Sequence, residues 1–312
     1  ALNSAIGQPW GKGLYALLAL AAWQYRTDKQ IPPGLPDLLD AVVAIPDAVG
    51  LELRAIIAER RPLLETYVHE WLEQHATTLF GDDTSGQATF DITVKWARPT
   101  SWFLNRYRDR LAKAARRGSD RAVHYLLIGA FWQKNGYAID EILTALRSAE
   151  DALGELCEQM AGLMQDAEPD STAVQQATGF WRAVLDADRT LVPARPLVKL
   201  GRWAFVTNVD SDAYTVLMTR TLQTTDGAID YPIEVADRWR TLGKPTQSLG
   251  ILLALLGHGA PWERDYVERS AVDCLRAAAA TAAVDAVVES FNLLRSRLIN
   301  RGRYEARNIT LA

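Results

Sequence analysis

Apolar side chains recur at helical spacing through most of this chain, and that periodicity constrains its fold more than any other feature. In the clearest run the spacing is 4, 3, 4, 3, 4 and 3 residues, at Ile142, Leu146, Ala149, Leu153, Leu156, Met160 and Leu163. Such a heptad pattern is typical of a helix that packs along its length against one partner. It predicts a single helix over 139–166, ~42 Å long at 1.5 Å per residue. A second helical run over 174–184 follows a loop at Pro169, so the two helices are predicted to form an antiparallel hairpin.

Proline at the start and glycine at the end mark further helices. Pro62 and Pro232 each stand where a proline begins a helix, and Gly243 follows a helical run. This asymmetry is typical of helices joined by short loops. The chain is therefore predicted to be all-α, built of stacked antiparallel helical hairpins in an α-solenoid or an irregular helical bundle.

One stretch departs from the helical period. Phe90, Ile92, Val94 and Trp96 alternate with polar residues, which is the period of a β-strand. A cluster of turn-forming residues over 81–86 comes just before them. These features predict a short extended segment or hairpin, with at most one short β-hairpin near 76–96 and no larger sheet.

Length and composition limit the class of protein. The 312 residues correspond to about two domains, and Val192–Pro196 is the best boundary, giving helical sub-bundles 1–192 and 193–312 or one continuous array. A net charge of −4 excludes a uniformly basic coat for nucleic acid. The early apolar run Leu14–Trp23 is shorter than the ~20 residues that a membrane helix needs.

Two cysteines, Cys157 and Cys274, form neither a disulfide framework nor a zinc site, and both are predicted to be buried. Sparse cysteine usage fits a reducing compartment, so a cytoplasmic location is predicted. The first residue is Ala and not Met. We therefore expect the chain to be a piece of a longer protein.

Motifs that resemble catalytic or metal sites lack essential parts. Gly7–Lys12 is one residue short of a phosphate-binding loop and is predicted to be a loop and helix start. His75 follows His69 by six residues, whereas a zinc-binding helix needs four, so His75 is predicted to be half-buried and bonded to a carbonyl. Asp82–Asp83 resembles the Mg²⁺–diphosphate carboxylates of class I terpenoid synthases, but no third acid follows. No catalytic residue, metal ligand or cofactor is predicted.

The distribution of charge is more informative than its sum. Seven basic and two acidic residues lie between Arg106 and Arg121, whereas 140–170 holds nine acids and one base. Four of the basic residues recur at helical spacing and form a predicted basic stripe: Arg106, Arg110, Lys113 and Arg117. The stripe is either a solvated helix face or a surface that contacts nucleic-acid backbone.

Two short elements carry a family resemblance. Gln8–Lys12, followed by Ala16-Leu17-Leu18, resembles a helix start, Asn-His-Pro-x-Gly-(Lys/Arg) with a later Ala-Leu-Leu, in helical C-terminal regions of large bacterial proteins. Leu200-Gly201-Arg202-Trp203 is similar to a second shared element. Such regions can follow a SIR2-like or nucleotide-binding domain and are linked to anti-phage defence. The resemblance implies a helical scaffold or target-sensing region, and it transfers no functional residue because Gln8 replaces the His.

Three functions therefore stay open. The leading prediction is a non-enzymatic helical scaffold that binds a protein partner or other domains of its own parent chain. The alternative is binding of nucleic-acid backbone along Arg106–Arg117, which must appear at low salt. A second alternative is an all-α enzyme of the terpenoid-synthase type, for which Mg²⁺ and diphosphate together would stabilise the fold.

Overall fold

The all-α prediction is confirmed. A computed structural model describes residues 2–132, 137–169, 171–280 and 285–311, and these residues form eighteen α-helices, two 3₁₀ segments and no strand. The pattern of contacts divides the chain into two units, Ala1–Leu111 (unit 1) and Ala112–Ala312 (unit 2).

Unit 1 holds seven helices and the start of an eighth. Their bounds are α1 Leu2–Gly7, α2 Pro9–Asp28, α3 Leu35–Ala44, α4 Ala48–Tyr67, α5 His69–Phe80, α6 Thr84–Trp96, α7 Ser101–Arg106 and α8 Arg108–Arg116. The long helix α4 packs against α1, α2, α3, α5 and α6 and is the centre of the unit. An aromatic cluster of Phe80, Phe90, Phe103 and Tyr107 fills the space between α5, α6 and α7.

The helix start predicted at Pro62 is wrong, because Pro62 lies inside α4. Proline has no backbone N–H, so it cannot donate the helical hydrogen bond to the carbonyl oxygen four residues earlier. That oxygen belongs to Ala58, and it accepts a hydrogen bond from the Thr93 hydroxyl of α6 at 3.2 Å. A side chain from the neighbouring helix thus takes the place of the missing donor.

The β-hairpin predicted near 76–96 is also wrong, since α5 and α6 cover that region. Phe90 and Val94 are buried four residues apart, and Thr89 and Thr93 are buried beside them. Each threonine hydroxyl donates to a backbone carbonyl oxygen. Because these two polar-looking residues belong to the buried face, the true period of the segment is helical.

Unit 2 contains the end of α8, ten further α-helices and both 3₁₀ segments. Its helices are α9 Asp120–Trp132, α10 Ile139–Ala145, α11 Glu150–Met164, α12 Thr172–Asp186, α13 Ala194–Leu197, α14 Ser211–Thr224, α15 Pro232–Leu242, α16 Pro245–Leu255, α17 Pro261–Ala279 and α18 Asp285–Asn300. The 3₁₀ segments are Val198–Phe205 and Tyr304–Asn308. Helix α16 packs against α14, α15, α17 and α18, whereas α11 packs against α9, α12, α13 and the first 3₁₀ segment.

The single helix predicted over 139–166 is two helices, α10 and α11. The chain turns at Ser148, whose φ of 64° lies in the left-handed region. Glu150 and Asp151 then occupy the first turn of α11, where acidic side chains favour a helix N-terminus. Ile142, Leu146 and Leu153 are nevertheless all buried. The apolar pattern therefore predicted these core residues correctly, but the prediction of one continuous helix was wrong.

The 3₁₀ segment Val198–Phe205 is long for its kind, since such runs usually stop after about three or four residues. A Cβ on Gly201 would lie 1.8 Å from the Asp230 carbonyl oxygen, so only glycine permits this backbone approach. Trp203 stacks on Trp181 of α12 with ring centroids 4.6 Å apart. Residues on both sides of residue 192 belong to unit 2, which begins at Ala112.

None of the helices in the described residues is long and apolar enough to cross a membrane.

Candidate functional site

Two residues of the predicted basic stripe are held within unit 1. Arg106 Nη1 lies 2.6 Å from Glu73 Oε2. Arg110 donates to the Phe80 carbonyl oxygen at the end of α5 and to Gln87 Oε1 at 2.9 Å. Its guanidinium also lies 4.2 Å from the centre of the Phe90 ring. Arg110 therefore links α5, α6 and α8. Its guanidinium is engaged by these contacts within unit 1 and is not free to bind a ligand.

The other two stripe residues, Lys113 and Arg117, belong to unit 2 and are exposed. Neither makes an ion pair with any residue that the structure describes. The sequence pattern thus placed four cations at helical spacing, but the structure leaves only these two side chains available to solvent ligands.

The motifs that resemble catalytic sites have structural roles. Asp83 is the N-cap of α6, where its carboxylate accepts from the Gly86 N–H at 2.6 Å. Gly11 is buried in α2, and a Cβ there would lie 1.9 Å from the Ala5 carbonyl oxygen, so this glycine permits α1 and α2 to approach. Within the described ranges, no group of three His, Cys, Asp or Glu side chains could hold a metal ion.

His75 confirms the prediction of a half-buried histidine bonded to a carbonyl. Its Nδ1 lies 2.9 Å from the Trp71 carbonyl oxygen. Its Nε2 lies 3.1 Å from Asp40 Oδ1, a partner that the sequence did not reveal. Trp71 Nε1 donates to the same carboxylate oxygen at 2.6 Å. The three side chains join α3 to α5.

Both cysteines are buried and free, as predicted. Burial raises the pKa of the Cys157 thiol and of the Cys274 thiol to about 12. Neither thiol is a candidate nucleophile, since the thiolate is the reactive form.

The outer face of α2 is the first surface with the character of a binding site. The inner face buries Leu14, Leu18, Ala21 and Ala22. The opposite face is apolar too, and its side chains are exposed; we call Ala16, Ala19, Leu20 and Trp23 the α2 stripe. Leu20 is 57% exposed and Trp23 is 59% exposed. A helix that is apolar all round is normally buried all round, so the exposed half of α2 has the composition of a contact surface.

A groove beside Pro62 is the second such surface, and it too lies within unit 1. Its volume is about 270 Å³, and it lies between α4 and the end of α6. The lining residues are Glu59, Arg60, Pro62, Leu63, Trp96, Ala97 and Arg98. The Trp96 side chain is 50% exposed at the edge of the groove. We call this feature the Pro62 groove.

The charged groups of the Pro62 groove are only partly satisfied. Glu59 Oε2 is buried and lies 2.9 Å from Arg60 Nε, but at an angle that makes no hydrogen bond. Burial raises the pKa of the Glu59 carboxyl above its ordinary value. The Arg60 guanidinium lies 3.9 Å from the centre of the Tyr15 ring of α2. The groove therefore adjoins α2 through one shared cation.

Comparison of the chain with family models, with curated proteins and with solved structures finds no match. The candidate surfaces are consequently defined by geometry alone. Sequence reasoning did not single out either of them. The signal for the α2 stripe was present, because Leu14–Trp23 is an unbroken apolar run and one buried helix face requires only about half of such residues. The Pro62 groove gave no signal, since it depends on a proline inside α4 meeting a tryptophan from α6.

Proposed function

We propose that the chain is a non-enzymatic helical module that binds a protein partner through unit 1. The observation that carries the proposal is the α2 stripe, a continuous apolar helix face that is exposed to solvent. Exposed apolar patches on soluble helices are typical of protein contact surfaces. Tryptophan contributes more than most residues to such contacts, because a large ring is desolvated at little entropic cost.

The origin of the chain belongs to the same proposal. We infer a region of a larger bacterial protein, of the kind associated with anti-phage defence, that acts in the cytoplasm. The resemblance over Gln8–Lys12 and Leu200–Trp203 supports this origin, and the two free, buried cysteines are compatible with a reducing compartment. Under this proposal the bound partner is a separate protein or another domain of the parent chain.

A photo-crosslinking experiment in cells of the source organism tests the binding role. The reporter is p-benzoylphenylalanine at Ala16, on the α2 stripe but outside its two large side chains. We expect a discrete crosslinked product that disappears in the Leu20→Gln/Trp23→Gln variant. Both substitutions replace exposed side chains with a good helix former, so we expect the free energy of unfolding to change by less than about 0.5 kcal/mol.

The matched control carries the same reporter at Glu70, an exposed position on α5 of the same unit. A product of equal yield at Glu70 would mean that the α2 stripe has no preference for a partner. A product at Ala16 that survives loss of Leu20 and Trp23 would contradict the proposal as well.

A further inference from the structure

The Pro62 groove has a local excess of positive charge. Arg60 and Arg98 line it, and Lys95 lies beside Trp96 with its ammonium 5.2 Å from the centre of that ring. Glu59 is the only acid in the lining. Among the described residues, Lys95 and Arg98 make no ion pair, whereas Arg60 is already engaged by Glu59 and Tyr15. Arg98 in the lining and Lys95 beside Trp96 are thus available to an incoming carboxylate.

The size and floor of the groove define what can enter it. Its volume of about 270 Å³ lies just below the ~300–1,000 Å³ range of small-molecule sites. The floor is apolar and is formed by Pro62, Leu63 and Ala97. The exposed Trp96 ring forms one edge. Such a space accommodates one large apolar or aromatic side chain, whose neighbours along its chain would then reach Lys95 and Arg98.

We propose that the Pro62 groove is a docking site for an acidic segment of a partner protein, which inserts one aromatic or large aliphatic side chain between Pro62 and Trp96 and pairs its carboxylates with Lys95 and Arg98. The inference rests on the proposed protein-binding function and adds the chemistry of the partner. A nucleic acid also combines ring stacking with negative charge. The groove favours a peptide, because it is a pocket with room for one side chain and not a channel that follows a phosphate backbone.

The test is an unbiased selection of peptides against the full chain. A displayed library of random 12-residue peptides is selected at moderate salt, and the enriched sequences are read. We expect enriched peptides of net negative charge that share one aromatic or large aliphatic residue. We expect Trp96→Ala and the charge reversal Lys95→Glu/Arg98→Glu each to weaken their binding at least tenfold.

A matched control makes the same change of charge elsewhere. Lys113→Glu/Arg117→Glu reverses two exposed cations of unit 2 that make no ion pair with a described residue, and we expect a less than twofold effect on the same peptides. Circular dichroism melts of all variants establish that each one is folded, which is expected since every substituted side chain is exposed.

Three results would overturn the inference. The first is enrichment of neutral or basic peptides, or no enrichment at all. The second is peptide binding that is unchanged in the Trp96 and Lys95/Arg98 variants but lost in Leu20→Gln/Trp23→Gln, which would move the site to the α2 stripe and leave the protein-binding function intact. The third is displacement of the peptide by a fluorescein-labelled 20-nucleotide oligo-dT that itself requires Trp96. The crosslinking at Ala16 decides the proposed function independently of all three.

Discussion

The buried core of unit 2 and the two candidate surfaces of unit 1 use large side chains and charges in different ways. Unit 2 stacks Trp181 on Trp203 with both side chains fully buried, whereas unit 1 leaves Trp23 and Trp96 at least half exposed. Several charged side chains of unit 2 form internal networks. Glu158 pairs with Lys199 and Arg202, and Glu268 pairs with Arg301 and Arg303.

In unit 1, by contrast, Lys95 and Arg98 have no acidic partner among the described residues, although Arg60 of the same groove lies against Glu59. The Trp181–Trp203 pair and the Glu158 and Glu268 networks are satisfied within unit 2 and gain little from a ligand. The α2 stripe and the Pro62 groove expose apolar side chains, and such surfaces have binding free energy left to gain. The contrast teaches that composition alone does not locate a binding surface. Tryptophan is buried at Trp71 of unit 1 and at Trp181 of unit 2, and it is exposed at Trp23 and at Trp262, so burial distinguishes individual positions and not whole units.

The largest expected effect is on the stability of unit 2. Trp181→Ala removes a fully buried ring that stacks on Trp203 and donates to Thr221 at 2.9 Å. We expect a loss of about 3–5 kcal/mol in the free energy of unfolding, because the cavity is only partly filled by relaxation. The matched change Trp23→Ala should cost less than about 0.5 kcal/mol, since the ring is exposed. Urea unfolding followed by circular dichroism measures both, and equal losses would remove the distinction between the units.

A smaller change in stability should distinguish Arg110 from Lys113, two members of the predicted basic stripe. Arg110→Ala leaves the Phe80 carbonyl oxygen and Gln87 without their donor, and it uncovers the Phe90 ring. We expect a loss of about 1–3 kcal/mol, the usual cost when a buried hydrogen-bonding group loses its partner. Lys113→Ala should be close to neutral. Thermal melts of the two variants provide the comparison, and a Lys113 variant as unstable as the Arg110 variant would contradict these assignments.

The pH dependence of the free energy of unfolding should show the cost of burying the Glu59 carboxylate. Burial raises the pKa of this carboxyl in the folded state, so the folded protein binds this proton more tightly than the unfolded chain does. The resulting stabilisation is fully present below the unfolded value of 4.5 and is lost as the pH rises through the folded pKa. Glu59→Gln should therefore gain stability relative to the parent chain as the pH is raised from 4.5 towards 7. If the difference in the free energy of unfolding between the two proteins stays constant over this range, the pKa of Glu59 is not raised in the folded state.

The smallest expected effect is an absence of reaction in unit 2. With thiol pKa values of about 12, only about one thiol in 10⁴ is ionised at pH 8. Both cysteines are also buried. Iodoacetamide should leave Cys157 and Cys274 unmodified in the folded protein and label both in 6 M guanidinium chloride, as read by mass spectrometry. Rapid labelling of the folded chain would show that unit 2 opens readily.

The fold class could be predicted from the sequence because helical periodicity survives almost everywhere in the chain. Ile142, Leu146 and Leu153 were correctly placed in the core even though a turn at Ser148 divides their helix. The predicted strand at 90–96 was wrong for a definite reason. Thr89 and Thr93 are polar by composition, but they are buried, with their hydroxyls bonded to carbonyl oxygens. A local pattern cannot reveal such a bond when the acceptor comes from another helix.

The candidate sites were harder to predict, because they depend on which faces stay uncovered. Arg106 and Arg110 have the same spacing as Lys113 and Arg117, yet the first two are engaged by Glu73 and by the end of α5. The exposed half of α2 could be suspected from its unbroken apolar run, but its exposure is a tertiary fact. The Pro62 groove needs a proline and a tryptophan that are far apart in the sequence and meet only in the folded unit.

The yield of crosslinking at Ala16 relative to Glu70, measured with and without Leu20 and Trp23, tests the central claim most directly. If unit 1 binds a protein through the α2 stripe, Ala16 gives a discrete product, Glu70 gives little, and Leu20→Gln/Trp23→Gln abolishes the product while the protein stays folded. Equal yields at Ala16 and Glu70, or a product unaffected by the double substitution, would contradict the claim.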